Sequence, residues 1–124
     1  MTVLLEVDIR NGVPIYKQIV ESMKTKIIRR ELEADSKVPS IRTLAGQLRI
    51  NPNTIKKAYS HLEQEGYLYT VTGRGSFVKP IGEDLIRTQV EELEKQMNNL
   101  IVKAKLNNID KESLKAMIDT LYKE

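Results

Sequence analysis

Pro39-Ser40-Ile41-Arg42-Thr43-Leu44-Ala45, followed by Asn51-Pro52-Asn53-Thr54-Ile55-Lys56-Lys57-Ala58-Tyr59, is the stretch that decides the fold. Ser40 has a hydroxyl suited to take an orphan backbone N–H at the start of a helix, and it precedes Ile41–Leu48. Within that segment Ile41, Leu44, Ala45 and Leu48 form one apolar stripe, which leaves Arg42, Thr43, Gly46 and Gln47 on other faces. Asn51 is a second capping residue, with Pro52 at the first helical position and Ile50 and Ile55 at the spacing of a hydrophobic staple. Ile55, Ala58, Tyr59 and Leu62 line one side of this second helix, and Gly66 stands where a left-handed cap ends it. Its other side carries Asn53, Lys57, Ser60 and Gln64, flanked by Lys56. Two short capped helices joined by a tight turn, the second bearing lysines beside amides, have the layout of a helix-turn-helix that places a recognition helix in the major groove of DNA.

Downstream, Tyr67-Leu68-Tyr69-Thr70-Val71 and Ser76-Phe77-Val78 are β-prone, and Gly73 and Gly75 supply the turn between them. The resulting hairpin has Arg74 at its tip and reads as a wing. Upstream, Val3, Leu5, Val7 and Ile9 alternate with more polar neighbours, which predicts a half-buried strand. Asn11-Gly12 breaks that pattern and Pro14 can start a helix, in which Tyr16, Ile19, Met23 and Ile27 recur to about Glu31. Leu32 to Val38 reads as a charged connector with little periodicity.

After Pro80 and Gly82 the character changes. Ile86, Val90, Leu93, Met97, Leu100 and Ala104 follow at alternating steps of four and three, a heptad seam on a charged helix that wants a partner helix. Asn107-Asn108 interrupts it, and Asp110 caps a last helix with Leu114, Met117, Ile118 and Leu121 as its apolar stripe. The seam can pair with a second copy of the chain or fold back within one chain.

The fold expected is therefore mostly α with a small β-hairpin wing. Residues 1–79 form a winged helix-turn-helix domain, with the recognition helix at about 52–65 and the wing at about 67–78. Residues 80–124 form a two-helix dimerisation tail. A chain of 124 residues has room for one ordinary domain and such an appendage.

Charge supports that division. Residues 37–79 carry seven basic and two acidic side chains, whereas 80–124 carry seven basic and nine acidic ones. A basic middle fits phosphate contact, and a slightly acidic tail fits self-association. With no Cys there are no disulfides or thiolate sites, which suits a cytoplasmic protein. The N-terminus lacks the order of a signal peptide, and no apolar run approaches the ~20 residues of a membrane span. His61 is the only histidine, so a metal site lacks ligands, and no cofactor is expected. Gly73-Arg74-Gly75 reads as a turn rather than a phosphate loop, and no nucleophile–base pair stands out, which argues against an enzyme.

In this order the pieces resemble the GntR family of bacterial transcription factors, specifically its YtrA-type subfamily. The likeness runs from Pro14-Ile15-Tyr16-Lys17-Gln18-Ile19 through Val38 to Ala45, Asn51 to Ile55, and Tyr59, Leu62, Glu63, Glu65, Gly66, Tyr67 and Leu68, to Gly73-Arg74-Gly75-Ser76-Phe77-Val78. The short tail marks the subfamily, because other members carry a much larger second domain. The resemblance implies a winged-helix homodimer that binds an inverted-repeat DNA operator and represses transcription, in many members beside ABC-transporter genes. By the same resemblance Arg42, then Asn51, Pro52, Asn53, Thr54 and Lys56, and the wing's Gly75 are DNA-binding positions; residue type and placement add Ser40, Thr43, Lys57 and Arg74 as candidates. Asn53 suits adenine, Lys56 or Lys57 suits guanine or phosphate, and Arg42 and Arg74 suit phosphate. Dimerisation falls to Ile86, Val90, Leu93, Met97, Leu100, Leu114, Ile118 and Leu121.

The chain departs from the family at Arg49, where glycine is usual, and in the connector, where Arg30, Ala34 and Asp35 replace Gly, Pro and Gly. Arg49 is thus expected in a left-handed conformation. The competing reading is a winged helix that serves as a protein-interaction module without sequence-specific DNA binding. A small-molecule effector, the operator, the regulated genes and the sign of regulation, repression or activation, are left open by the residues.

Overall fold

The computed structural model describes Leu5 and residues 7–123, and along them three helices precede a β-hairpin and two follow it. The order is α1 (Ile15–Ile28), α2 (Ile41–Leu48), α3 (Pro52–Gln64), β1 (Leu68–Val71), β2 (Gly75–Val78), α4 (Glu83–Leu106) and α5 (Lys111–Leu121). These residues divide after Gly82 into two units.

In the first unit α3 is the central element, because its apolar side is completely used. Ile55, Ala58, Tyr59 and Leu62 are all buried, and α1, α2 and β1 each pack against this helix. α1 supplies Ile19, Val20, Met23 and Ile27; α2 supplies Leu44 and Ala45; Tyr67, Leu68 and Val78 close the core from the hairpin. Each large side chain buried in this way contributes about 1.5–3 kcal/mol. Lys24 is buried too, at 7% exposure, with its ammonium 3.0 Å from Glu65 Oε1 and 5.4 Å from the centre of the Tyr67 ring.

β1 and β2 pair antiparallel with Leu68 opposite Val78, Tyr69 opposite Phe77, Thr70 opposite Ser76 and Val71 opposite Gly75. Tyr69 and Phe77, a cross-strand pair, stack with ring centres 5.5 Å apart.

The N-terminal strand expected from Val3, Leu5, Val7 and Ile9 is not seen among the described residues; Val3 lies outside them. Leu5 is buried, but Ile9 is 80% exposed in a turn, so the alternation there does not reflect a buried face. Gln18 organises this segment instead. Its side-chain oxygen accepts from the Asp8 N–H, and its amide donates to the carbonyls of Asp8 and Val13.

α1 ends at Ile28 rather than near Glu31, because Arg30 turns left-handed at φ 60° and the N–H groups of Glu31 and Leu32 both return to the Lys26 carbonyl. The segment read as a featureless connector is tied to the hairpin. Lys37 pairs with Phe77 on the outer edge of β2, Val38 N–H donates to Ser76 O at 3.0 Å, and Val78 N–H donates to Ser36 O at 2.9 Å. Leu32 and Val38 at its ends are buried.

In the second unit α4 is 24 residues long and no residue of α4 or α5 is buried. Asn108 at φ 63° makes the break between them, and Asp110 Oδ1 accepts the Ser113 N–H at 2.8 Å to cap α5. That bond holds the Asp110 carboxyl below its ordinary pKa. Val90, Leu93, Met97, Leu100, Ile118 and Leu121 are exposed in the single chain, and Ile86 and Leu114 are half-buried.

Candidate nucleic-acid interface

The helix-turn-helix is set by its caps. Ser40 Oγ accepts the Thr43 N–H at 3.0 Å and donates to Thr43 Oγ1 at 2.8 Å, so both side chains are engaged in opening α2. Arg42, one position inside, is exposed. α2 stops at Arg49, which takes the left-handed conformation (φ 56°, ψ 48°). The N–H groups of Arg49 and Ile50 both reach the Ala45 carbonyl, which makes the turn tight. Asn51 Oδ1 then accepts the Asn53 N–H at 2.9 Å, and Pro52 occupies the first position of α3. Asn51 is therefore a cap through its oxygen.

Tyr59 fixes α3 against the entrance of α2. Its ring is in the core and its hydroxyl donates to the Pro39 carbonyl at 2.7 Å. Burial pushes the Tyr59 phenol pKa up, so the hydroxyl remains a donor. With Ile55, Ala58, Tyr59 and Leu62 facing inward, the outward surface of α3 shows Asn53, Lys56, Lys57, Ser60 and Gln64, with Thr54 half-buried. Gly66, at φ 86°, ends the helix region in the conformation that glycine adopts most readily.

At the wing, Thr72, Gly73 and Arg74 form the exposed tip, and the Arg74 N–H closes the turn on the Val71 carbonyl at 2.9 Å. Gly75 follows at φ 115°, and a Cβ there would stand 2.9 Å from Lys37 Cε. The positive φ is what favours glycine, because the end of the Lys37 side chain could swing away from an added Cβ. The stem of Lys37 thus lies against the wing beside Arg74.

Two residues that bear on this surface were not among the expected site positions. Lys37 lies in the segment that reads as a connector, and its bridge to Phe77 brings it to the wing. Tyr16 belongs by spacing to the apolar stripe of α1, yet it is half-buried and reaches α3. Lys57 Nζ lies 4.0 Å from the centre of its ring, and the His61 ring centre lies 5.2 Å away on its other neighbour contact. Their signal in sequence is faint: a lysine two residues before Pro39, and an aromatic in the first turn of α1.

The charges of this surface are free. Among the described residues, Lys24, Lys26, Arg29, Arg87 and Lys115 pair with carboxylates. All of these lie outside 37–79. Lys37, Arg42, Arg49, Lys56, Lys57, Arg74 and Lys79 are exposed, and no described carboxylate comes within ion-pair distance of them. Phosphate is the chemistry such a set recognises. No helix among the described residues is long and apolar enough to cross a membrane.

Comparison with known proteins converges on the same elements. The model of the gntR family of bacterial regulatory proteins matches residues 15–78, from α1 through the end of the wing. The HTH-type transcriptional repressor YtrA of Bacillus subtilis strain 168 is 33% identical over 112 residues, which cover 90% of this chain and 86% of that protein. A GntR family transcriptional regulator from Listeria monocytogenes superposes with a TM-score of 0.71 at 33% identity, over 89% of this chain and 96% of the other. The DNA-binding domain of AraR, solved in complex with operator ORX1, superposes with a TM-score of 0.55 at 32% identity, over 62% of this chain and 99% of that one.

Proposed function

Since the chain belongs to the gntR family of bacterial regulatory proteins, in its YtrA-type branch, we propose that it is a cytoplasmic transcriptional repressor that binds an inverted-repeat operator as a homodimer. The observation that carries this reading is the set of exposed basic side chains on α2, α3 and the wing that have no carboxylate partner among the described residues. Such charges are costly to crowd together unless a polyanion receives them.

Each part has a role. Asn53 and Lys56, on the outward surface of α3, read base edges in the major groove, with Thr54 at their margin. Arg42, Lys57 and Arg74 contact phosphates and fix the register of the domain on the duplex. Ser40, Thr43, Asn51 and Pro52 shape the helix starts, so that backbone N–H groups and short side chains meet the DNA backbone. Gly75 lets Lys37 lie along the wing.

The tail makes the dimer. Ile86, Val90, Leu93, Met97 and Leu100 of α4, with Leu114, Ile118 and Leu121 of α5, form apolar stripes that a second chain covers. A two-fold dimer presents its recognition helices to half-sites about one helical turn apart, roughly 34–36 Å.

The test is operator selection from random duplexes followed by titration of the selected duplex at several salt concentrations. The logarithm of the affinity should fall linearly with that of salt, with a slope of about −0.9 per phosphate neutralised. Arg42→Ala should flatten the slope by about two units in a dimer. Asn53→Ala should cost about 1–3 kcal/mol and relax preference at one base pair per half-site. A slope near zero, or no selected sequence, would leave the protein-interaction module as the better reading.

A further inference from the structure

We propose that Tyr16, from the first turn of α1 and outside the helix-turn-helix, is a positioning residue for DNA contact: its ring holds the ammonium group of Lys57 in place on the recognition helix. This deepens the regulator reading above and rests on it.

The geometry is specific. Lys57 Nζ stands 4.0 Å from the centre of the Tyr16 ring, well inside the ~6 Å reach of a cation–π contact. His61, one turn further along α3, meets the same ring at 5.2 Å with a tilt of 36°. Tyr16 therefore spans the i,i+4 pair Lys57–His61 and fixes the flank of α3 on which Lys57 can lie.

A lysine on an open helix surface samples many rotamers, and it loses that freedom when it meets a phosphate. A ring that already confines the ammonium reduces the loss. Lys57 is exposed and has no carboxylate partner among the described residues, so its charge is confined without being neutralised. Its neighbour Lys56 has no such aromatic contact among the described residues. The two adjacent lysines are thus different instruments: one fixed, one free to adapt.

Tyr16 is half-buried at the helix entrance, outside the fully buried row of Ile19, Met23 and Ile27, and its ring meets Lys57 and His61 of α3.

The experiment uses the full chain and the selected operator duplex, with Tyr16→Leu, Tyr16→Phe, Lys57→Ala and the double variant Tyr16→Leu/Lys57→Ala, each checked by thermal melting. Tyr16→Leu should weaken binding roughly 2–5-fold per half-site, the size of an exposed cation–π contact, hence about 4–25-fold for a dimer. Tyr16→Phe, which keeps the ring, should stay within about twofold of wild type. In the Lys57→Ala background Tyr16→Leu should add less than about twofold, because nothing is left to position. In the unaltered protein the Lys57 ε-methylene protons should be shifted upfield by the ring current, a readout that needs no variant. Unshifted protons overturn the proposal. So does a Tyr16→Phe loss equal to that of Tyr16→Leu, which would assign the effect to the hydroxyl. So does an undiminished Tyr16→Leu effect without Lys57, or tighter binding, which would mean that the ring withholds the lysine. If the wild-type protein shows no salt-sensitive, sequence-selective binding, the regulator reading fails and takes this proposal with it.

Discussion

The phenolic hydroxyl of Tyr59 donates to the main-chain carbonyl of Pro39 across 2.7 Å, so one side chain of the recognition helix sets the position of the residue that precedes the α2 cap. Because the ring also fills the core, the two helices are locked by packing and by a directed bond. Tyr59→Phe should keep the packing and leave the carbonyl short of a donor, at a cost of about 1–2 kcal/mol. Urea unfolding measures this. An unchanged midpoint would mean that the bond contributes nothing to stability.

Arg49 is held left-handed at the turn, where an L-residue with a Cβ is strained by roughly 1–2 kcal/mol. Arg49→Gly removes that strain but gives the unfolded chain more freedom, worth about 0.4–1 kcal/mol in the opposite direction. The net expectation is a gain of about 0.5 kcal/mol, seen as a small rise in melting temperature, together with a weaker salt dependence of DNA binding if the guanidinium meets phosphate.

Tyr67 is almost fully buried, and its hydroxyl has no hydrogen-bond partner among the described residues. Tyr67→Phe should therefore stabilise the first unit by about 1 kcal/mol. Burial, then the charges of Glu65 and Glu21, push the Tyr67 phenol from 10.0 up to about 12. The folded-state pKa is thus above the unfolded one. The wild-type protein keeps this contribution below pH 10 and loses it as pH rises towards 12. The stability gap between Tyr67→Phe and wild type should be larger at pH 11 than at pH 8. A constant gap would show that the phenol ionises equally in both states.

Leu93 and Leu100 are 55% and 65% exposed on α4 of the single chain. The double variant Leu93→Glu/Leu100→Glu places like charges on the seam of both copies, and sedimentation should find monomers. Operator affinity should fall to the non-specific level, because one half-site offers too few contacts. A folded variant that remains dimeric and binds normally would place self-association elsewhere.

The helix-turn-helix was legible because its signals are local. Ser40, Asn51 and Gly66 announce their caps by residue type, and Ile55, Ala58, Tyr59 and Leu62 announce a buried side by spacing. Even the strained turn at Arg49 was expected, from the glycine that the family resemblance puts there. The misread parts lack local signals. Leu5, Val7 and Ile9 alternate without any partner strand among the described residues, and Gln18 decides that segment from within α1. Lys37 joins the sheet by a single bridge to Phe77, and one residue has no period to detect. For the site, residue type and exposure indicated Asn53, Lys56 and Arg74. The pairing of Lys57 with Tyr16 arises only when α1 lies on α3, and no spacing along the chain encodes it.

The third partner of the hairpin gives the wing an uneven stiffness. Ser36 to Val38 are stitched to the outer edge of β2 as far as Ser76, whereas among the described residues Thr72 to Arg74 have only the closing bond of their own turn. The wing is therefore a cantilever, clamped along most of its length and compliant at the end. If the wing meets DNA as proposed, such a tip would follow a groove whose width varies with sequence, since deforming three residues disturbs none of the core. Broad tolerance at the flanks of a target and strictness at its centre would then be the natural outcome of a rigid helix paired with a yielding tip.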